Sequence, residues 1–243
     1  MPEPVAARVF CLPYSGGSSL AYRDWSGLGP GVEVVAVDYP GRLMRPAEPL
    51  VESVPGLVAA LAEELYPYWD VPFVVCGTSL GSLVAFELAR AAEEAGRPAE
   101  AAVLCACAAP GRLPRTPPVT ALADTDFLDA VADRYGGALA ALRGDPEAQA
   151  VLVPMLRADL RAFEQYATQP VPPLPISTDI IAFAGRQDRS TRFGEVAGWR
   201  AFTTGDFQVR SVSGGHFFIE QQPAEVVGEI RTRLRHRRTV ETS

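Results

Sequence analysis

Residues 72–90 restrict the possible folds of this chain more than any other stretch, and they read PFVVCGTSLGSLVAFELAR. An apolar, partly β-branched run meets Gly77-Thr78-Ser79-Leu80-Gly81 and passes directly into a segment rich in Leu, Ala and Glu. This order predicts a strand, a sharp turn and a helix. Such a turn holds its central residue in a strained backbone conformation, and the flanking glycines let strand and helix approach closely.

Ser79 is the candidate nucleophile, because a turn of this kind exposes the hydroxyl of its central serine. The pentapeptide G-x-S-x-G is weak evidence alone, and its strand–turn–helix context gives it weight. The alternative is that Ser79 is an ordinary small residue in a tight turn of an α/β protein. A base and an acid elsewhere in the chain are needed to separate the two readings.

Composition narrows the class of protein. With 243 residues, 48% of them hydrophobic, the chain is expected to form one domain, residues 1–243, with an insertion. A net charge of −7 argues against a nucleic-acid partner. The first ten residues lack the basic start and apolar core of a secretory signal, and no run approaches the ~18 apolar residues of a membrane span. We therefore expect a cytoplasmic protein without a membrane partner.

The four cysteines, at positions 11, 76, 105 and 107, fall inside apolar runs predicted to be buried strands. This placement favours reduced thiols that pack in the core. Cys105-x-Cys107 has neither the spacing nor the partner histidines of a zinc site, so we predict no metal.

Apolar strands alternate with amphipathic helices along the chain, which predicts a mostly parallel sheet with helices on both faces. The pattern places strands at residues 7–12, 32–37, 73–76, 102–107, 178–184 and 207–212. It places helices at residues 54–68, after Gly81, from 124 or 125 to a stop at Gly136-Gly137, from 145 to about 166, and at 223–238.

Two of these helices lie within residues 113–173, between clusters of prolines. A helical insertion with proline hinges is typical of a lid that gates a site and shapes an acyl pocket. The alternative is a helical decoration that only covers the core.

Proton removal from a serine requires a positioned imidazole, and the chain has only two histidines. His236 lies among arginines near the end of the last helix. His216 lies in a glycine-bracketed loop after the last strand, at the carboxyl edge of the sheet, where sites of open α/β folds form. His216 is therefore the predicted base.

The third member must accept the Nδ1–H of that histidine. Asp188 follows the strand predicted at 178–184, and the order Ser79, Asp188, His216 is that of an α/β-hydrolase triad. Two other acids are alternatives to Asp188. Asp206 lies at the start of a strand, at the opposite edge of the sheet, and Glu220 lies one helical turn too far along the chain. Taken alone, Asp188 could equally be a capping or turn residue.

Residues 13–19, PYSGGSS, predict a flexible loop after the first strand. Such a loop can offer backbone N–H groups to an oxyanion, although it can also be a plain glycine-rich turn. The phosphate-binding patterns G-x-x-x-x-G-K-[ST] and G-x-G-x-x-G cannot be read here.

Several motifs together resemble the type II thioesterases associated with polyketide synthases and nonribosomal peptide synthetases. They are LPYSGGSS, DYPGR, the G-x-S-x-G elbow followed by LVAFELAR, LRAD with Tyr166 downstream, AGRQD and GGHFF, and they span about residues 8–222. The resemblance implies an α/β-hydrolase fold that hydrolyses acyl groups from the phosphopantetheine arm of acyl or peptidyl carrier domains. It also implies that Ser79 is the nucleophile, His216 the general base and acid, and Asp188 its partner.

By the same resemblance, the backbone N–H groups of Leu80 and Ser15 hold the oxyanion, and the enzyme needs no cofactor of its own. Two positions depart from the family pattern. Thr78 and Leu80 stand where the family usually has His and Met, and Leu43-Met44 follow PGR where it usually has Gly and Asp. The change at Thr78 and Leu80 need not abolish activity. Leu43-Met44 make one wall of the predicted site more apolar, so the choice of substrate stays open.

The leading hypothesis is a stand-alone thioesterase that acts through an acyl-serine. A cyclase or acyltransferase with the same triad is the first alternative, and a carboxylesterase or amidase is the second. A catalytically inactive partner-binding subunit is the alternative from another class. The arginines expected to be exposed near the lid hinges, namely Arg112, Arg115, Arg186 and Arg189, are candidates for docking acidic carrier domains.

Overall fold

The computed structural model describes residues 4–25, 28–114, 117–136, 145–169 and 174–240, without the side chains of 236–240. In the described part, six parallel strands form one sheet in the order β2-β1-β3-β4-β5-β6. The strands are β1 (Ala7–Leu12), β2 (Val32–Ala36), β3 (Phe73–Thr78), β4 (Ala101–Cys105), β5 (Asp179–Gly185) and β6 (Phe207–Val212). The predicted parallel sheet is confirmed.

Within the described residues, seven α-helices connect or follow these strands. They are α1 (Val54–Leu65), α2 (Leu80–Glu94), α3 (Asp124–Tyr135), α4 (Pro146–Thr168), α5 (Phe193–Val196), α6 (Phe218–Gln221) and α7 (Ala224–Val240). Short 3₁₀ segments occur at Ser19–Tyr22, Tyr66–Tyr68 and Ala197–Phe202. None of the helices in the described ranges combines the length and apolar character that a bilayer span would need.

Local chemistry sets the helix ends. The side chain of Asp145 accepts a hydrogen bond from the Ala148 N–H, and Pro146 occupies the first turn of α4, both of which favour a helix start. Helix α3 ends at Tyr135 because Gly136 adopts a φ of 70°. Gly137, the other half of the predicted stop, lies outside the described residues.

Successive strand residues point to opposite faces of the sheet, so the core divides into two layers. Phe10, Val75 and Leu104 pack with α1 and α2 on one face. Val9 and Val103 pack with α7 on the other. The predicted placement of Cys107 in a strand was wrong, because β4 ends at Cys105 and Cys107 lies in the buried loop that follows.

Helices α3 and α4 lie between β4 and β5 and share a separate apolar cluster, which includes Phe127, Val131, Leu156 and Leu160. The C-terminal part of α4 joins the main core, where the Tyr166 hydroxyl donates to Glu87 of α2 at 2.6 Å. A single domain with a lid at about residues 113–173 stays a prediction.

Candidate active site

The turn between β3 and α2 has the predicted strained geometry. Ser79 adopts φ 54° and ψ −119°, and its N–H donates to the carbonyl of Cys105 at 2.8 Å. A Cβ on Gly77 would overlap the backbone of Gly81, and one on Gly81 would overlap the carbonyl of Leu12. The two glycines are therefore required by the close approach of β1, β3 and α2.

Asp188 and His216 meet at the carboxyl edge of the sheet. Asp188 follows β5, His216 follows β6, and His216 Nδ1 lies 2.9 Å from Asp188 Oδ2. Both side chains are almost completely buried. Burial raises the pKa of Asp188, but hydrogen bonds with His216 and Ser190 and the charge of His216 outweigh burial and leave that pKa below its ordinary value. The carboxylate is thus kept ionised beside the imidazole.

Ser190 is a site residue that the sequence analysis missed. Its hydroxyl donates to Asp188 Oδ1 at 2.7 Å and lies 2.9 Å from His216 Nδ1. Its N–H also donates to Asp188 Oδ1 at 2.8 Å. An aspartate that accepts from the backbone two residues later forms an Asx turn, so Asp188-x-Ser190 carried a detectable signal.

Ser79 and His216 line two small cavities, each with a volume of about 20 Å³. Ser15 lines the first of them. Tyr135 lines both, and its ring centroid lies 4.9 Å from that of His216. The site therefore brings the predicted nucleophile and base to the same open space, which Tyr135 also lines.

Leu80 begins α2, so its N–H belongs to the first turn of a 15-residue helix. The first backbone N–H groups of a helix lack partners within it, and the helix dipole favours negative charge there. The arrangement of Leu80 and Ser15 around Ser79 is compatible with an oxyanion hole, and that assignment stays a prediction.

The rival acids lie elsewhere. Asp206 precedes β6 at the amino edge of the sheet, where its N–H donates to Asp179. Glu220 in α6 accepts a hydrogen bond from the hydroxyl of Tyr14. The side chain of His236 lies outside the described part of the chain.

The four cysteines are free and buried. Burial raises the thiol pKa of Cys11, Cys105 and Cys107, which keeps these groups protonated and unreactive. Within the described ranges, no cluster of three or more His, Cys, Asp or Glu residues suits a metal ion.

Comparisons with known proteins identify the family of this chain. A family model described as "Thioesterase domain" matches residues 7–234. The curated protein "Thioesterase PikA5" of Streptomyces venezuelae is 37% identical over 237 residues, which cover 96% of this chain and 83% of that protein.

Two solved structures are also similar. The first is the RedJ thioesterase from the prodiginine biosynthetic pathway of Streptomyces coelicolor, with a TM-score of 0.84 and 31% identity over 96% of this chain and 88% of RedJ. The second is YbtT, a type II thioesterase from the yersiniabactin pathway, with a TM-score of 0.84 and 30% identity over 97% of this chain and 95% of YbtT. Both structural alignments extend over nearly the whole chain.

Proposed function

This chain belongs to the thioesterase family, and from that premise we propose that it hydrolyses acyl or peptidyl thioesters on the phosphopantetheine arms of carrier domains. The reaction would serve editing or chain release in polyketide or nonribosomal peptide biosynthesis. YbtT is described as a type II thioesterase from the yersiniabactin NRPS/PKS biosynthetic pathway, and RedJ as a thioesterase from the prodiginine biosynthetic pathway.

One observation supports a triad mechanism for this reaction. His216 Nδ1 lies 2.9 Å from Asp188 Oδ2, and the imidazole lines the same cavities as Ser79. An Nδ1–H that donates to Asp188 leaves Nε2 unprotonated and able to accept a proton from the serine.

In the acylation half, Ser79 Oγ attacks the thioester carbonyl while His216 Nε2 takes the hydroxyl proton. The carbonyl oxygen becomes an oxyanion, which the N–H groups of Leu80 and Ser15 stabilise. The C–S bond then breaks, and the imidazolium returns its proton to the departing pantetheine thiolate. An acyl ester on Ser79 remains.

In the deacylation half, His216 accepts a proton from a water molecule as its oxygen attacks the acyl-serine. The second oxyanion uses the same two N–H groups. Collapse breaks the C–Oγ bond, Ser79 recovers its proton from His216, and a free carboxylic acid leaves. Asp188 orients the imidazole and stabilises its charged form throughout.

Each cavity beside Ser79 has a volume of about 20 Å³, which is enough for a water molecule, the nucleophile that deacylation requires.

The proposed reaction uses no cofactor of the enzyme, because the phosphopantetheine arm arrives with the substrate. Two of the arginines considered for carrier docking are already engaged within the molecule. Arg112 donates to the carbonyl of Gly194 at 2.9 Å, and Arg186 lies 3.3 Å from Ser211 Oγ. Arg115 lies outside the described residues.

The test is mass spectrometry of products from acyl-carrier and acyl-N-acetylcysteamine thioesters, with wild type compared with Ser79→Ala. Removal of the nucleophile is expected to lower turnover by ~10³-fold or more. Ser177→Ala is the control, because Ser177 is exposed and precedes β5 at the opposite edge of the sheet. A fluorophosphonate should label Ser79 in wild type and in this control.

Free acids that depend on Ser79 would support the proposal. Cyclic or transferred products would favour a cyclase or acyltransferase. Faster turnover of oxygen esters than of thioesters would favour a carboxylesterase, and the absence of Ser79-dependent turnover of any thioester would refute the proposed function.

A further inference from the structure

A buried ion pair links the turn after β2 to helix α4. Arg42 Nη2 contacts Asp159 Oδ1, and the two side chains are 4% and 0% exposed. Burial raises the pKa of Asp159, and the facing guanidinium and the Gly16 amide oppose that rise. A buried ion pair contributes little net stability compared with an apolar pair of similar volume, so stability alone is a weak explanation for this one.

Two further polar atoms of the pair, one on each side chain, hold the loop after β1. Asp159 Oδ2 accepts the Gly16 N–H at 2.7 Å, and Arg42 Nη1 donates to the Gly17 carbonyl at 3.0 Å. The Gly17 N–H donates to the carbonyl of Tyr14 at 2.8 Å, which closes a turn around Ser15. The ion pair therefore hydrogen-bonds to the backbone of Gly16 and Gly17, the two residues that directly follow Ser15.

Helix α4 also packs directly on this loop. A Cβ on Gly16 would lie 3.0 Å from Leu156 Cδ1, and Gly16 has a φ of 74°. Leu156 and Leu160, which flank Asp159 on α4, line the cavity that contains Ser15 and Ser79. The loop, the helix and one wall of the site thus form a single packed unit.

We infer that Arg42 and Asp159 are positioning residues that hold the Ser15 N–H in the place where the oxyanion forms. The inference rests on the proposed function. It implies that α4 must be docked on the loop for the reaction to proceed, because Asp159 belongs to α4. Loss of the pair would let the turn around Ser15 relax, which weakens binding of the transition state more than binding of the substrate.

The experiment uses Arg42→Met, Asp159→Leu and the double variant. Each single variant leaves an unpaired buried charge and is expected to be less stable than wild type, whereas the double variant removes both charges and should recover stability. We expect all three to lose about 10- to 100-fold in kcat, with KM within about threefold of wild type. Asp159→Asn keeps an oxygen for the Gly16 N–H and should retain more kcat than Asp159→Leu.

Arg161→Met is the matched control, because it removes an exposed ion pair between α4 and Glu52 that does not touch the loop. Its kcat should equal that of wild type. A second readout compares a boronic acid, which forms a tetrahedral adduct with Ser79, with a non-hydrolysable thioether analogue of the substrate. In the pair variants, affinity for the boronic acid should fall in parallel with kcat/KM while affinity for the thioether stays unchanged.

A double variant that recovers both stability and kcat would overturn the inference and leave the proposed function intact. Equal losses of boronic acid and thioether affinity would also overturn it, because they would indicate general damage to the site. A wild-type protein without Ser79-dependent turnover would overturn the proposed function itself, and these outcomes are therefore distinguishable.

Discussion

The hydroxyl of Ser190 lies 2.9 Å from Nδ1 of His216, the ring nitrogen that also lies 2.9 Å from Asp188. The same hydroxyl has one proton, which it donates to Asp188 Oδ1 at 2.7 Å. Its lone pairs therefore face the Nδ1–H of the imidazole. Ser190 fixes the orientation of both the carboxylate and the ring, so the proposed triad has a fourth supporting group.

Replacing Ser190 by Ala should lower kcat by about threefold to tenfold, because Asp188 still holds His216 but with less restraint. Replacing Asp188 by Asn should cost far more, about 10³- to 10⁴-fold, because an amide favours the wrong tautomer of the ring. Steady-state kinetics on one acyl thioester would compare the two. Equal losses in both variants would show that Ser190 is as important as Asp188.

Ser190→Ala should also change the pH dependence of stability. The pKa of folded Asp188 is held below its ordinary value, so Asp188 stabilises the fold above about pH 4 and loses that contribution as pH falls through the lowered pKa. Loss of the Ser190 hydrogen bond raises this pKa toward the unfolded value. The free energy of unfolding, measured in urea between pH 3 and pH 7, should show a deficit for Ser190→Ala at neutral pH that shrinks toward pH 3.

The control for this pH series is Ser177→Ala, which lies at the opposite edge of the sheet from Asp188. It should differ from wild type by the same amount at every pH. A deficit of Ser190→Ala that is constant from pH 7 to pH 3 would contradict the linkage to Asp188.

The fold could be predicted because its signals are local. Strands β1 and β6 have the predicted bounds, and α4 starts beside the predicted Asp145. The apolar pattern that predicts each strand, and the capping aspartate and first-turn proline that predict the start of α4, each involve only a few neighbouring residues. The carboxyl-edge positions of Asp188 and His216 then follow from parallel strand order, since such strands end at a common edge.

Contacts between distant segments could not be predicted. Arg42 and Asp159 both lie in motifs noted in the sequence, but no local rule pairs residues that are 117 positions apart. Their meeting depends on how α4 packs over the loop at Gly16, which is a tertiary outcome. The contact between the rings of Tyr135 and His216 likewise depends on the packing of α3, and no periodic pattern in the sequence predicts it.

Thr78 occupies a position where the family usually has His, and it is the last residue of β3. It is completely buried, and its Oγ1 lies 3.3 Å from the hydroxyl of Tyr22, which donates to the Leu12 carbonyl. Thr78→Val should therefore keep kcat within about threefold of wild type and lower the free energy of unfolding by about 1 kcal/mol. Kinetics and urea unfolding would test both values, and a 100-fold loss of kcat would place Thr78 in the catalytic machinery.

Tyr135 should limit the size of the acyl group, because it lines both cavities beside Ser79. Tyr135→Leu enlarges that space, so kcat/KM for an octanoyl thioester should rise about tenfold relative to that for an acetyl thioester. Tyr135→Phe keeps the ring and is the matched control, with an unchanged ratio. An unchanged ratio in Tyr135→Leu as well would show that another wall sets the acyl length.

Gly81→Ala should disrupt the turn through sterics alone. The added Cβ would overlap the carbonyl of Leu12, so β1 or α2 must shift at a cost of about 1–3 kcal/mol in the free energy of unfolding. The shift also moves Ser79 and should lower kcat. Gly228→Ala is the control, since a Cβ there meets nothing within 4 Å and alanine should stabilise α7 by about 0.5–1 kcal/mol. Urea unfolding should show a lower free energy of unfolding for Gly81→Ala and a higher one for Gly228→Ala. A Gly81→Ala protein as stable as wild type would contradict the close approach of Gly81 to the Leu12 carbonyl.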